Sequence, residues 1–200
     1  VHVTNHPGIE GTAHIKAAID RLKSRGYEID FQFLRGVSPE KALEAYHDAH
    51  LSIGKMKMGY YANAQIESMY LGVPAITNVR PEFMTPELES SGLIFSTLEN
   101  LEATLEYYIT NPDELARKRS LARRTILELH SEERLTALLM QVYGMELPSK
   151  PTEKRLPRIL YIGNTANNAY YNAKLLRRNN AAEVDVLCND DYWIMSSPEW

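Results

Sequence analysis

Glu67 lies one turn into a helix-like run, inside the segment GYYANAQIESMYLGVPAIT at residues 59–77. A polar and aromatic turn precedes the run, Gly72 ends it, and Pro74 leads into a small apolar strand. A carboxylate in that position can accept hydrogen bonds from two neighbouring sugar hydroxyls. Charge-assisted bonds of this kind contribute roughly 1.5–3 kcal/mol each. The helix start beside it offers unpaired backbone N–H groups and a partial positive charge, which suit a phosphate. Gly59 lets a phosphate approach closely, and Asn63 opens the helix. The residue types therefore fit a ribose anchor next to a diphosphate site. The plain alternative is that Glu67 only complements the helix dipole. For an isolated glutamate that alternative is the better one, and only the surrounding pattern reverses it.

Other side chains with chemical capacity sit near the same feature. His6, in the loop NHPGIEG, is placed to donate to a phosphate or a sugar hydroxyl, or to make a local turn contact. Tyr60 and Tyr61 either line the ligand or form a packed rim, and the packed rim is the commoner use of such a pair. Farther on, Asn164, Asn167 and Asn168 either bind sugar hydroxyls or cap a helix and make its turn, the second being preferred. The basic run RKRSLARR at residues 117–124 reads as a solvated helix face, with peripheral attraction to an anionic membrane as the lesser reading. The six histidines show no zinc-like spacing, and no nucleophile elbow or Walker loop is present. No metal and no cofactor is expected.

The elements that must position these residues alternate in type. A strand end at Val1–Thr4 is followed by a helix from about Thr12 to Ser24, with Ile15, Ile19 and Leu22 on one face. Ile29, Phe31 and Phe33 alternate as a strand, and Ser38-Pro39 caps the next helix. The strand LSI, the helix from Asn63 to about Leu71, the strand PAIT, a short PELESSG helix and the strand LIF follow. Ile66, Met69, Tyr70 and Val73 are expected on the apolar face. Two or three amphipathic helices then fill residues 98–145. Alternation of this kind predicts an α/β fold, a parallel sheet with helices on both faces.

Residues 146–157, ELPSKPTEKRLP, read as a linker, and 158–200 as the first βαβ of a second, similar domain, incomplete. The ends at VHVTNHPG and SSPEW read as the margins of a section from a longer polypeptide. A net charge of −4 excludes a general basic field for nucleic acid. Cys188 is the only cysteine, which excludes an intrachain disulfide and fits a cytoplasmic protein.

The stretch IESMYLGVPAIT resembles the "glutamate, small residue, Met, x, x, Gly, x, Pro, apolar strand" signature of nucleotide-sugar glycosyltransferases with two Rossmann-like domains, the GT-B fold. The nearest likeness is to family 4, or group 1, and it covers residues 1–143. NHPGIEGT is similar to that family's loop before the first donor-domain helix, and HDAHLSIGK to its approach to the site. The resemblance implies glycosyl transfer from a nucleotide-sugar donor to a glycan, lipid or small-molecule acceptor, without metal and with retention of configuration. It implies that Glu67 holds the donor ribose, and that the Gly59–Asn63 turn and the Gly11-Thr12 helix start cradle the diphosphate. No catalytic base is implied.

Two departures bear on this. The family's second glutamate, eight residues earlier, is Gly59 here, and its Lys-Gly-Thr is Glu10-Gly11-Thr12. A carboxylate beside a diphosphate repels it. Either Glu10 points away, or Lys55 or Lys57 supplies the cation, or donor binding is lost. The segment after residue 157 resembles the opening of an acceptor-side domain, so the order fits tandem transferase modules sampled across their junction, or, less readily, a circular permutation. On that reading the chain alone has no transferase activity. The other functions consistent with these residues are a nucleotide-sugar-binding module without catalysis and a sugar-nucleotide epimerase.

Overall fold

Strand and helix alternate through residues 1–129 because apolar residues recur first at a spacing of two and then at three and four. The structure is a computed structural model that describes residues 1–144, 157–162, 168–179 and 181–187. It divides into two compact units, Val1–Leu129 and His130–Trp200. That division falls ahead of the 146–157 linker, of which all but Pro157 lies outside the described residues.

In the first unit, β1 (His2–Val3) leads through the one-turn α1 (Pro7–Glu10) to α2 (Thr12–Ser24). There follow β2 (Phe33–Leu34), α3 (Pro39–His47), β3 (Ser52–Ile53), α4 (Asn63–Tyr70) and β4 (Ala75–Thr77). A 3-10 turn (Pro81–Phe83), α5 (Pro86–Glu89), β5 (Ile94–Phe95), α6 (Leu101–Thr110) and α7 (Pro112–Leu129) complete it. Ser38 caps α3 as its sequence predicts, its hydroxyl accepting from the Lys41 N–H at 3.4 Å. All strands pair in parallel, β1 with β2 and β3 with β4 and then β5. The two ladders meet edge to edge. Ile53 N–H donates to the Val1 carbonyl at 3.0 Å, and the Val1 nitrogen donates to the Leu51 carbonyl at 2.8 Å. This sets β1 beside β3.

Neighbouring strand residues point to opposite faces, and each face has its own core. Ile53, Ile76 and Ile94 pack with Ile15, Ile19 and Leu22 of α2 and Leu101 and Leu105 of α6. Ala75 and Leu93 pack instead with Met69 of α4 and with Ala122 and Ile126 of α7. Gly92 lets α7 approach: a Cβ there would lie 2.3 Å from the Ala122 Cα.

Two expectations are corrected. Of the predicted strand at residues 29–33 only Phe33 enters the ladder, because β1 pairs through His2 and Val3 alone; Ile29 and Phe31 still pack on the core. Tyr70 leaves the apolar face of α4. Met69 and Val73 are buried, but the Tyr70 ring is exposed with the Arg123 guanidinium 5.2 Å over it, a cation–π contact that stabilises the outward position.

In the second unit, β6 (Arg158–Ile162) and β7 (Glu183–Leu187) pair in parallel across α9 (Asn168–Arg178). Here α8 (Glu132–Val142) joins α9, with Met140, Ala173, Leu176 and Val184 in one core. Among the described residues no helix is long and apolar enough to cross a membrane.

Candidate functional site

From β1 the chain turns to β2 on one side, while β3 continues to β4 and β5 on the other. In open parallel sheets a reversal of that kind marks the place where ligands bind, beyond the carboxyl ends of the two central strands. Two loops meet there, one after β1 and one after β3. The Met56 N–H donates to the Glu10 carbonyl at 3.2 Å. Gly11 precedes α2 with φ +84°, a conformation that only glycine takes readily. The expected cradle at Gly11-Thr12 is covered: both residues are buried, the Thr12 hydroxyl is taken by His2, and the helix first reaches solvent at Ala13 and His14. A Cβ on Gly11 would sit 3.2 Å from Met56 Cβ and 3.6 Å from Lys57 Cγ, so Lys57 flanks the helix start.

Glu10 turns into the protein. It is 3% exposed, and its Oε1 accepts from Lys55 Nζ at 2.6 Å. Its Oε2 is buried without a hydrogen-bond partner. Lys55 holds this pairing from a left-handed backbone, φ +57°. The carboxylate is therefore neutralised inside the protein, and Lys55 is engaged by it. Beside the pair, His2 is fully buried. Its Nδ1 lies 2.8 Å from the Ile53 carbonyl and its Nε2 2.7 Å from Thr12 Oγ1. A neutral ring with its proton on Nδ1 satisfies both contacts, and burial pushes the His2 pKa down.

Gln65, on the first turn of α4, is buried, and its Oε1 accepts from the Ala62 N–H at 3.0 Å. Asn63 is exposed at the helix start. One turn on, Glu67 reaches solvent and has no hydrogen bond or ion pair among the described residues. The surrounding protein still crowds its carboxyl enough for desolvation to push the pKa up. The buried Tyr46 phenol is pushed up by burial first and then by the charges of Glu67 and Glu10, so one phenol feels both carboxylates.

At the other end of the second loop, Gly59 has φ +78°, and the Arg80 side chain lies against it. Tyr61 is built into the core, and Tyr60 stacks on it with ring centroids 4.6 Å apart, 41% exposed. Phe83 meets Tyr60 edge-on at 5.8 Å. The pair forms a packed rim with one open face. His6 is half-buried at the start of α1, its N–H donating to Thr4 Oγ1 at 2.9 Å.

Gly11, Thr12 and Lys57 thus gather at the loop junction, Gly59, Tyr60 and Tyr61 gather at the rim, and Glu67 stands on α4. Asn164 and Asn167 lie outside the described residues, and Asn168 is the first residue of α9. Sequence reading missed His2 and Arg80. The only signal for Arg80 is a residue without a side chain facing a long cation far along the chain, which no local pattern displays. Among the described residues no group of three or more His, Cys, Asp or Glu is placed to hold a metal.

No protein-family model matches this chain, and a search of curated proteins finds no match either.

Proposed function

We propose that Val1–Leu129 is a Rossmann-like, GT-B-type donor domain that binds a nucleotide-sugar for glycosyl transfer to a glycan, lipid or small-molecule acceptor in the cytoplasm. The observation that carries the reading is Glu67, an accessible carboxylate without an ion-pair or hydrogen-bond partner among the described residues, on the helix that leaves the loop after β3. Exposed helix carboxylates are often left to solvent, but this one is partly desolvated by the surrounding protein. This one is left to accept hydrogen bonds from a ribose diol. Lys57 and the exposed part of the first turn of α2, at Ala13 and His14, are the groups suited to a diphosphate. In the reaction the bond from the anomeric carbon to the diphosphate oxygen breaks, an acceptor hydroxyl oxygen bonds to that carbon, and the hydroxyl proton passes to the departing diphosphate oxygen. The developing diphosphate charge is what Lys57 and the α2 amides would stabilise. No side chain is assigned as base.

Two observations favour a binding module without catalysis. Lys55 is engaged by Glu10, and residue 59 carries no carboxylate toward a donor sugar. Equilibrium titration with UDP, GDP, ADP, their sugars and the matching nucleosides tests the reading. At least one nucleotide is expected to bind, and Glu67→Gln to weaken it tenfold or more. Absence of nucleotide binding, or unaltered binding by Glu67→Gln, overturns the proposal. Product from an acceptor separates transfer from binding alone, and sugar interconversion without acceptor points to an epimerase.

A further inference from the structure

We propose that Arg80 is a second phosphate-binding group of this site, seated there by Gly59; the inference rests on the nucleotide-sugar reading above. Arg80 follows β4, so it leaves the same carboxyl edge of the sheet as the loops after β1 and β3. Its backbone N–H donates to the Gly59 carbonyl at 2.9 Å. Its Cγ, Nε and Cδ fall 2.7, 2.7 and 2.9 Å from the position of a Cβ on Gly59. Any side chain at residue 59 would occupy the volume that the Arg80 stem fills. The empty position at 59 is thus the seat of a cation.

The guanidinium is held but not consumed. It lies 4.7 Å over the Phe83 ring, a cation–π contact. Its carboxylate neighbour, Glu82, is 3.4 Å away, and both side chains are more than half exposed. Such pairs are weak and exchange readily with a better anion. The charge balance points the same way. A nucleoside diphosphate brings two or more negative charges, Lys55 is closed off by Glu10, and Lys57 alone is one positive charge. A planar fork of donors matches phosphate oxygens two at a time, which a lysine cannot do.

Titration of Arg80→Ala, Arg80→Lys and Gly59→Ala with UDP, GDP, ADP, inorganic pyrophosphate and the bare nucleosides tests the assignment. In Arg80→Ala, diphosphate and pyrophosphate binding are expected to weaken tenfold or more with nucleoside binding unchanged. Arg80→Lys is expected to fall between, since it keeps the charge and loses the fork. Gly59→Ala is expected to follow Arg80→Ala. Arg80 is exposed, so its variants fold as the parent does, and a circular dichroism melt checks this. Diphosphate binding within twofold of the parent in Arg80→Ala overturns the assignment while leaving the nucleotide reading in place. So does an equal loss for diphosphate and nucleoside. A parent chain that binds none of the three nucleotides overturns both.

Discussion

Replacing Lys55 with Met leaves the Glu10 carboxylate buried with no cation. At 2.6 Å the pair has a gross attraction of about 332/(20 × 2.6), roughly 6 kcal/mol at an effective dielectric of about 20. Most of that offsets the desolvation of both ions, so the net value of the pair is small. Removing one partner alone is a different matter. Lys55 side-chain exposure is 15% and that of Glu10 is 4%, so Glu10 cannot recover water when its partner goes. Lys55→Met is expected to destabilise the first unit by about 3–5 kcal/mol. Glu10→Gln removes the deeper charge and leaves a lysine that can turn to solvent, at a cost of about 1 kcal/mol. The double variant should regain most of the loss.

The left-handed backbone at Lys55 adds a second, independent check. Lys55→Gly loses the same cation but relieves strain, so it should be about 1 kcal/mol less destabilised than Lys55→Met. Urea unfolding followed at 222 nm measures these values, fitted to two transitions because the chain has two compact units. Amide exchange at Met56, whose N–H donates to the Glu10 carbonyl, should quicken in Lys55→Met. A loss below about 1 kcal/mol in Lys55→Met, or a larger loss in Glu10→Gln, would refute the reasoning, since both follow from the burial asymmetry.

Three further outcomes are expected. The folded-state pKa of His2 lies below the ordinary 6.5 because of burial, so its stabilising contribution is complete above pH 6.5 and lost as pH falls toward the folded value; urea midpoints from pH 8 to 5 should decline accordingly, and His2→Gln should flatten the slope. Desolvation raises Glu67 above its ordinary 4.5, and only the ionised form accepts from both diol hydroxyls. Nucleotide affinity should therefore drop on acidification with a midpoint above 4.5, and titration of Glu67→Gln should show no such step. Gly92→Ala puts a methyl 2.3 Å from the Ala122 Cα and 2.5 Å from its nitrogen, both backbone atoms that cannot rotate away. The unfolding midpoint should fall by the equivalent of about 1–3 kcal/mol or more.

What was legible in the sequence follows the range of the forces involved. The α2 span Thr12–Ser24 and the Ser38 cap are local matters of period and capping, and both read directly. The openness of Glu67 follows from its displacement from the Met69–Val73 face. Tyr70 was misread because a tyrosine beside an apolar stripe is ambiguous until Arg123, on another helix, offers its guanidinium. The direction of Glu10 was not legible either. It depends on Lys55, 45 residues on, adopting a left-handed backbone that lysine disfavours. Arg80 went unseen for the same reason, since its seat exists only where two loops meet.

The placement of charge separates binding from transfer. In the loops beyond the carboxyl edge of the sheet a buried acid and base close on each other and present no net charge to a ligand. On the same loops stand two exposed cations, Lys57 and Arg80, and on α4 one exposed carboxylate, Glu67. Phosphates call for the former and a diol for the latter, so the signs suit a nucleotide better than a simple anion, which Glu67 would repel. Inorganic phosphate should accordingly gain affinity in Glu67→Gln, where a nucleotide should lose it. Transfer asks for more than these charges: the anomeric carbon must be shielded from water while the acceptor is aligned. A single α/β unit offers one wall of such an enclosure. Nucleotide binding is therefore the property that Val1–Leu129 should carry on its own, and opposite responses of phosphate and nucleotide to one substitution at residue 67 are the signature that no structural role of that glutamate would produce.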